Sequence, residues 1–305
     1  SGRSAACDSA GHVWIAATTG LLEIWRDDRA RWHSFRHATG NGQGKSVYVF
    51  YDSRERLWVG HYGNSLQRFT VVHHTGRESR LVLEKELLTG RDIPDGVVMF
   101  MVDRNGMLWF SAEGVTVVDP DHTPFIKRTF TIADGLPPTS VRALYQDHDG
   151  NIWFGGGYGG GIAMLPLGDW TGNISIHYAL ETGLPNDYIR AFGEDGHGHL
   201  LIGTRYGGLS ILSDGRFTTY TTKEGLLSDA VWCFATDRSG TTFVGSHLGL
   251  QRFGPAIPVR FASNNELIGS TVWTCGTYND QFVWMLTSDE FAIFEYSIAG
   301  PPPSA

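Results

Sequence analysis

The sequence predicts an all-β fold, a seven-bladed β-propeller. A large apolar or aromatic residue recurs at one point of a repeated phrase, and we call these residues the blade markers: Trp14, Trp58, Trp109, Trp153, Leu201, Phe243 and Trp284. Successive markers are 44, 51, 44, 48, 42 and 41 residues apart, which is the length of a propeller blade rather than of a helical repeat. Each unit also divides into four short strands, and radial repetition of such units gives a propeller.

The turn before each marker accounts for the first hairpin of a blade. An Asp stands six residues before the marker in six units, and Tyr278 takes its place in the seventh. In five units a Gly follows that Asp by three residues, as Gly150 follows Asp147. Asp favours the first position of a type I turn, and Gly accepts the left-handed conformation that closes it. We therefore expect this turn to join the first and second strands.

The residues after the marker predict the rest of the blade. A small residue lies two positions beyond the marker in six units, as Gly155 does, and a Gly inside a strand indicates a close neighbour. That neighbour should be a large side chain of the next blade. Fourth strands are expected in most units, for example over residues 216–220 and 259–261. Polar connections then lead into the next blade.

The seventh unit predicts an incomplete blade. Its strands are expected at 271–277, 281–287 and 290–296, and the chain then enters SIAGPPPSA, whose prolines cannot donate to a strand ladder. The propeller domain is accordingly predicted at 1–296, with a Pro-rich tail or linker at 297–305. An open sheet edge is a liability, so we expect blade seven either to be three-stranded here or to be completed by another chain or a neighbouring domain. The chain, which begins inside a strand, is interpreted as a piece of a longer protein.

These phrases resemble a known repeat. The stretch DGLPPTSVRALYQDHDGNIWFGGGYGGGI resembles the two-component regulator propeller repeat, found in sensor domains of bacterial signalling proteins. The resemblance covers nearly the whole chain; it is clearest in units four and five and weakest in unit seven. No Trp-Asp dipeptide closes a unit, which argues against the WD-repeat family. The resemblance implies a periplasmic or other extracytoplasmic location, a ligand that is often a carbohydrate, and a neighbouring signalling domain in a longer parent chain.

Composition excludes several other functions. The formal net charge of −8 disfavours nucleic-acid binding, because phosphate contacts need a basic face, and no apolar run is long enough to span a bilayer. The three cysteines show no metal spacing and are interpreted as buried free thiols. His73-His74 and His197-Gly198-His199 are interpreted as surface histidines. GGGYGGG at 155–161 lacks the Lys of a phosphate loop. No metal or other cofactor is expected.

We expect the ligand site at positions where the residue type differs between the repeats but is usually polar. Positions in the loop between second and third strands, and at the start of the innermost strand, vary between units in this way. Arginine forks bind carboxylates and sulfates, and aromatic rings stack on sugars, so a funnel lined by both suits an anionic saccharide. Trp232 and Trp273 occupy innermost-strand positions equivalent to those of the arginines. The predicted ligand-binding residues are His61, Tyr62, Glu113, Arg142, Tyr158, Arg190, Arg205, Tyr206 and His247.

Three functional interpretations follow. The favoured one is a non-catalytic sensor propeller that binds a small or oligosaccharide ligand at the central funnel. An alternative is a propeller lyase or hydrolase acting on polysaccharides or lactones. In that case the predicted ligand-binding residues would supply a base, an acid and an anion-binding group. The residues considered for these roles are His61, Tyr62, Glu113, Arg205 and His247. A third interpretation is a module for dimerisation or protein interaction, and a homodimer is compatible with each.

Overall fold

Seven antiparallel sheets form the protein. The computed structural model describes residues 4–17, 20–37, 46–61, 65–254, 271–278, 281–287 and 291–296. Within each sheet the strands follow chain order, so that each strand pairs with the next. The first strands of neighbouring sheets lie side by side except in sheets two and three, whose side chains share one core. The first strand of sheet seven lies beside that of sheet one. The predicted seven-bladed β-propeller is therefore confirmed.

The first four blades each have four strands. Blade one contains β1 (Ser4–Cys7), β2 (Val13–Ala17), β3 (Gly20–Arg26) and β4 (Trp32–His37). Blade two contains β5 (Ser46–Tyr51), β6 (Arg56–His61), β7 (Ser65–His74) and β8 (Arg77–Leu88). Blade three contains β9 (Met99–Val102), β10 (Leu108–Ser111), β11 (Val115–Val118) and β12 (Ile126–Phe130). Blade four contains β13 (Val141–Gln146), β14 (Ile152–Gly156), β15 (Ile162–Leu165) and β16 (Ile176–Tyr178).

The last three blades differ in their described strands. Blade five contains β17 (Ile189–Glu194), β18 (Leu200–Thr204), β19 (Leu209–Ser213) and β20 (Arg216–Tyr220). Blade six contains β21 (Val231–Thr236), β22 (Thr242–Ser246) and β23 (Gly249–Phe253). Blade seven contains β24 (Val272–Tyr278), β25 (Phe282–Thr287) and β26 (Phe291–Glu295). The three strands predicted for blade seven agree with these bounds. The strand predicted at 259–261 and the tail predicted at 297–305 lie outside the described residues and stay predictions.

Short 3-10 helices shape three of the connections between blades. They span Ile132–Asp134, Leu180–Thr182 and Thr222–Glu224, and a fourth 3-10 helix, Pro166–Gly168, lies within blade four. Each of the three ends at a Gly with left-handed φ and is followed by a buried Leu: Leu136, Leu184 and Leu226. These leucines pack into the cores between blades. The predicted polar connections are therefore each anchored in the core by one buried Leu. None of the described residues forms a helix with the length and apolarity needed to cross a bilayer.

The turn Asp binds the marker Trp directly. In blade four, Trp153 Nε1 donates to Asp147 Oδ2 at 2.7 Å, and blades one to three repeat this bond at 2.7 to 2.9 Å. The other carboxylate oxygen accepts the backbone N–H four residues after the Asp, as Asn151 N donates to Asp147 Oδ1. The predicted turn is confirmed, and its carboxylate also satisfies a buried indole.

In blades five and six, where the marker is not Trp, the turn Asp accepts a hydrogen bond from another side chain. Leu201 cannot donate, and Asp195 Oδ2 receives His199 Nδ1 at 2.9 Å. In blade six, where the marker is Phe243, the hydroxyl of Tyr296 donates to Asp237 Oδ2 at 2.6 Å. Blade seven keeps its Trp but has no Asp, and among the described residues the buried Trp284 Nε1 has no hydrogen-bond partner.

The glycine two residues after the marker lies against the next blade. A Cβ at Gly155 would stand 2.6 Å from Ile189 Cγ2, and one at Gly203 would stand 2.8 Å from Val231 Cγ1. Ile189 and Val231 both begin the innermost strand of the following blade. The prediction that these glycines make room for the next blade is confirmed.

Two of the cysteines meet at one of these interfaces. Cys233 of β21 and Cys275 of β24 are buried, and their Sγ atoms lie 3.1 Å apart. Burial raises the pKa of the Cys233 thiol well above its ordinary value. The expected buried free thiols are found at these two positions, while Cys7 is only partly buried.

We expect Trp153→Ala to lower the free energy of unfolding by about 3–5 kcal/mol, because the substitution leaves a cavity between two sheets. Trp153 is 6% exposed and packs among side chains of blades four and five. Denaturant unfolding followed by circular dichroism measures the change. Tyr158→Ala is the control: this aromatic of the same blade is 67% exposed, so its loss should change stability by less than about 0.5 kcal/mol. Similar losses in both variants would contradict the packing role.

We expect Gly155→Ala to cost about 1–3 kcal/mol, the usual range for overpacking, because its Cβ would meet the branched side chain of Ile189. Gly254→Ala is the matched control, since a Cβ there meets nothing within 4 Å. Thermal melting of both variants tests this, and an unchanged melting temperature for Gly155→Ala would show that the blades are not in close contact there.

Candidate ligand-binding site

A backbone bulge at the start of the innermost strand positions the central side chains of the site. The pairing of β13 with β14 shifts between Val141 and Ala143, and that of β17 with β18 shifts between Ile189 and Ala191. The residues within these shifts are Arg142 and Arg190. A bulge re-aims the side chain that it carries. Blades six and seven repeat the shift at Trp232 and Trp273, so four neighbouring blades present an Arg or a Trp at this point.

The side chains of these blades form a contiguous surface. We call it the arginine–aromatic arc, and it consists of Arg142, Tyr158, Tyr188, Arg190, Arg205, Tyr206, Trp232 and Trp273. The guanidinium carbon of Arg190 lies 4.6 Å from the ring centre of Tyr188 and 4.4 Å from that of Trp232. The rings of Trp232 and Trp273 meet edge to face at 4.9 Å. Such cation–π contacts hold the guanidinium planes in fixed positions.

Arg205 joins the arc through the backbone as well as through its side chain. Its N–H donates to the carbonyl oxygen of Tyr188 at 3.0 Å, which ties the loop after β18 to the connection before β17. Its Nη1 donates to the Tyr188 hydroxyl at 3.3 Å, and its guanidinium carbon lies 5.2 Å from the ring centre of Tyr206.

The arc is electrostatically unbalanced. Among the described residues, none of the guanidinium groups of Arg142, Arg190 and Arg205 forms an ion pair with a carboxylate. Burial lowers the pKa of Arg190, and the positive charges of Arg205 and Arg142 lower it further. Arg190 Nε is also buried without a hydrogen-bond partner. Three like charges held together with an unsatisfied donor favour an anion.

Tyr188 responds to this positive field. Burial acts to raise the pKa of its phenol, but hydrogen bonds with Tyr158 and Arg205 and the nearby guanidinium charges together hold that pKa below its ordinary value. Tyr188 is 6% exposed, so it supports the arc from beneath.

Two exposed tyrosines flank the arginines. Tyr158 and Tyr206 are 67% and 65% exposed, and the ring of Tyr188 lies between them, 4.6 Å from Tyr158 and 6.4 Å from Tyr206. Tyr158 also has a φ of 51°, a left-handed conformation that costs a non-glycine residue roughly 1–2 kcal/mol. Residues held in this way are concentrated at ligand sites.

A cavity continues from one end of the arc. It has a volume of about 540 Å³, and Arg142 and His61 both line it, together with the rings of Tyr48, Phe100 and Phe110. Burial lowers the pKa of His61, whose Nε2 hydrogen-bonds to Gln67 at 3.0 Å. His61 Nδ1 has no hydrogen-bond partner among the described residues. A neutral imidazole nitrogen and a guanidinium therefore share an otherwise largely apolar pocket.

Among the described residues, the side chains of Glu113 and His247 form no hydrogen bond or ring contact with the arc, although the His247 N–H donates to Ala230 O at 3.0 Å, two residues before Trp232. Glu113 is exposed and lines a separate hollow with Asp95 and Thr129, where a negative charge would repel an anion. His247 is exposed, and its Nδ1 bonds to the hydroxyl of Thr271 at 2.7 Å. Tyr62 lies outside the described residues. The structure thus brings together Arg142, Tyr158, Arg190, Arg205 and Tyr206, and it connects His61 to them only through the cavity.

Tyr188 was not among the predicted site residues. The equivalent position, two residues before the residue that matches Arg190, is not aromatic in the other units. It also lies outside the loop between second and third strands from which the exposed tyrosines were predicted. The one available signal was its place in the connection that leads into an Arg-bearing innermost strand.

Comparison with known proteins supports the repeat and the fold. The family model described as two component regulator propeller matches residues 135–158. None of the curated proteins compared with this sequence matches it. Among solved structures, the extracellular domain of BT3049 from B. thetaiotaomicron, assigned to a hybrid two component system, is 19% identical with a TM-score of 0.72. The match covers 97% of this chain and 39% of that one.

Two further structures show how widely the fold occurs. The extracellular domain of BT4673 from B. thetaiotaomicron is 16% identical with a TM-score of 0.57, over 97% of this chain and 47% of that one. A virginiamycin B lyase from Staphylococcus aureus with quinupristin is 11% identical with a TM-score of 0.69, over 96% and 93%. Likeness at these identities establishes the fold alone. The chain is therefore a seven-bladed propeller in which residues 135–158 match the two component regulator propeller model, one of the segments where its sequence predicts that repeat.

Proposed function

We propose that this chain is the ligand-binding sensor domain of an extracytoplasmic signalling protein and that it binds an acidic oligosaccharide at the arginine–aromatic arc. The observation that carries the proposal is the convergence of Arg142, Arg190 and Arg205 without a carboxylate partner among the described residues. Buried or half-buried guanidinium groups without a counter-ion favour a carboxylate or a sulfate, which each fork can bind through two hydrogen bonds.

The aromatic members of the arc favour a saccharide over a bare anion. Tyr158 and Tyr206 expose their rings beside the arginines, and such rings pack on the apolar faces of sugars while hydroxyl groups bind at the edges. The cavity beyond Arg142 would accept a further sugar unit, with His61 Nδ1 as a hydrogen-bond partner. An oligosaccharide that carries a carboxylate or a sulfate would use both regions.

Overall charge makes the arc more selective. The protein carries a formal charge of −8, so its net charge repels an anion whereas the guanidinium groups of the arc attract one. A local positive potential raises the encounter rate of anions, and it weakens as salt increases. The location outside the cytoplasm and the signalling role rest on the repeat and on the extracellular domains of hybrid two component systems that share the fold. A neighbouring signalling domain and a homodimer remain part of this proposal.

Among the described residues, no contact brings together the groups that the enzymatic alternative needs. The residues considered for its base, acid and anion-binding group include His61, Glu113 and His247. His61 lines the cavity, Glu113 lines a separate hollow, and His247 bonds to Thr271. A proton donor and acceptor must both reach the reacting group. The arc itself offers guanidinium groups and phenols, which suit binding.

We expect Arg190→Ala and Arg205→Ala each to weaken the binding of a sulfated disaccharide by about 10–100-fold, the range for losing a hydrogen bond to a charged group. The binding constant is measured by isothermal titration calorimetry at two salt concentrations. Arg216→Ala is the matched control, because Arg216 is an exposed residue of β20 in the same blade. The melting temperatures of all three variants should remain near that of the wild type.

The desulfated disaccharide decides between an anion site and a simple sugar site. We expect it to bind at least about tenfold more weakly than the sulfated form, because its charge-assisted hydrogen bonds are lost. Equal affinity for the two sugars, or an equal loss in Arg216→Ala, would contradict the proposal.

A further inference from the structure

A cluster of histidine and acidic side chains lies between blades one and two, on the turn side of the sheets. Asp8 opens the turn between β1 and β2, His12 precedes β2, and His73 lies near the end of β7. Each of these three residues places one potential ligand atom within 4.8 Å of the others. His73, interpreted from the sequence as a surface histidine, is 31% exposed at its side chain. Its ring also packs edge to face on that of His12 at 4.5 Å.

A buried carboxylate fixes the orientation of the first imidazole. Glu23 is fully buried, and it lies 2.6 Å from His12 Nδ1 and 2.6 Å from His37 Nε2. A carboxylate accepts hydrogen bonds and cannot donate them. His12 Nδ1 therefore donates to Glu23, and in a neutral ring the lone pair belongs to Nε2.

A serine fixes the second imidazole in the same way. The Ser79 hydroxyl donates to Glu23 Oε1 at 2.5 Å, so its oxygen is free to accept from His73 Nδ1 at 2.9 Å. His73 Nε2 then carries the lone pair, and it faces Asp8 Oδ2 at 3.5 Å. Two atoms that both accept hydrogen bonds would repel each other at this separation unless a proton or a cation lies between them.

The charge of the cluster favours a cation. The side chains of Asp8 and Glu23 are both fully buried. In the part of the chain that the structure describes, their ion-pair partners are histidines, and no Lys or Arg pairs with either. Buried charges are ordinarily paired or coordinate a metal.

We propose that Asp8, His12 and His73 bind a divalent transition-metal ion of the Zn²⁺ type. Two imidazole nitrogens and a carboxylate oxygen are ligands that Zn²⁺ prefers. Outer-shell hydrogen bonds from Glu23 and Ser79 orient the imidazoles, as in established zinc sites, and Trp14 Nε1 holds Asp8 Oδ2 at 2.7 Å. The side chain of His73 is 31% exposed, so solvent can reach the ion and supply the remaining ligand.

A second histidine cluster serves as the internal comparison. Asp195, His197 and His199 also place ligand atoms within 4.8 Å of one another, but the His197 side chain is 82% exposed. Its ring is not oriented by a buried carboxylate. We therefore expect this cluster to bind Zn²⁺ much more weakly than the first.

The test is titration of Zn²⁺ into protein that has been freed of metal with a chelator, followed by calorimetry. We expect one tight site in the wild type and a loss of more than about 100-fold in His73→Gln, which exceeds the usual 10–100-fold cost of an outer-shell change. Ser79→Ala should cost about tenfold. His74→Gln is the matched control and should bind as the wild type does, because His74 is not one of the clustered ligand residues.

Co²⁺ absorption provides a second readout that does not depend on stability. We expect visible bands from a nitrogen- and oxygen-ligated Co²⁺ in the wild type and in the His197→Gln/His199→Gln double variant, and their loss in His73→Gln. Equal Zn²⁺ affinity in wild type and His73→Gln would overturn the proposal. So would binding that is lost in the double variant and retained in His73→Gln. If His73→Gln fails to fold, Ser79→Ala decides, and unchanged Zn²⁺ affinity in that variant would count against the site.

Discussion

The hydrogen bond between the turn Asp and the marker Trp is the interaction on which the rest of the propeller depends. Trp153 must be buried to fill the space between blades four and five, and its indole N–H must be buried with it. A buried donor without a partner costs about 1–3 kcal/mol. Asp147 supplies the acceptor, and its second oxygen closes the turn that pairs β13 with β14. One residue pair thus couples turn geometry, strand pairing and packing between blades.

The units that lack this pair show what the pair contributes. When Leu201 replaces Trp, the carboxylate of Asp195 accepts a hydrogen bond from His199, and when Phe243 does so, Asp237 accepts one from Tyr296. Each carboxylate thus keeps a partner for its second oxygen. Blade seven retains Trp284 without the Asp, and its indole N–H is unsatisfied within the described residues. Its interface with blade one depends on apolar contacts of Trp284 with Val13 and Ile15, so the ring closes where the repeat is weakest.

The fold could be predicted from the sequence because its evidence is periodic and local. Turn Asp, marker and small residue lie within nine positions of one another, as from Asp147 to Gly155, and they recur in almost every unit. The site could be predicted only in part. Arg142 and Arg190 share a position, but the bulge that aims them depends on strand register, which spacing does not show. The contacts of His73 could not be predicted for a related reason: its partners Asp8 and His12 lie in another blade, and one sequence gives no sign of that contact.

The two proposed sites lie at opposite ends of the innermost strands. Arg142 and Arg190 occupy bulges at the start of β13 and β17, whereas Asp8 stands just beyond the end of β1, at the turn position. Five residues of extended strand separate equivalent positions, roughly 16 Å at the usual rise, so a metal bound by Asp8 could not contact a ligand in the arc. A metal ion would instead link the first turn of blade one to β7 of blade two. It would therefore add a link at the interface between blades one and two, where the Asp8–Trp14 hydrogen bond already joins turn and marker.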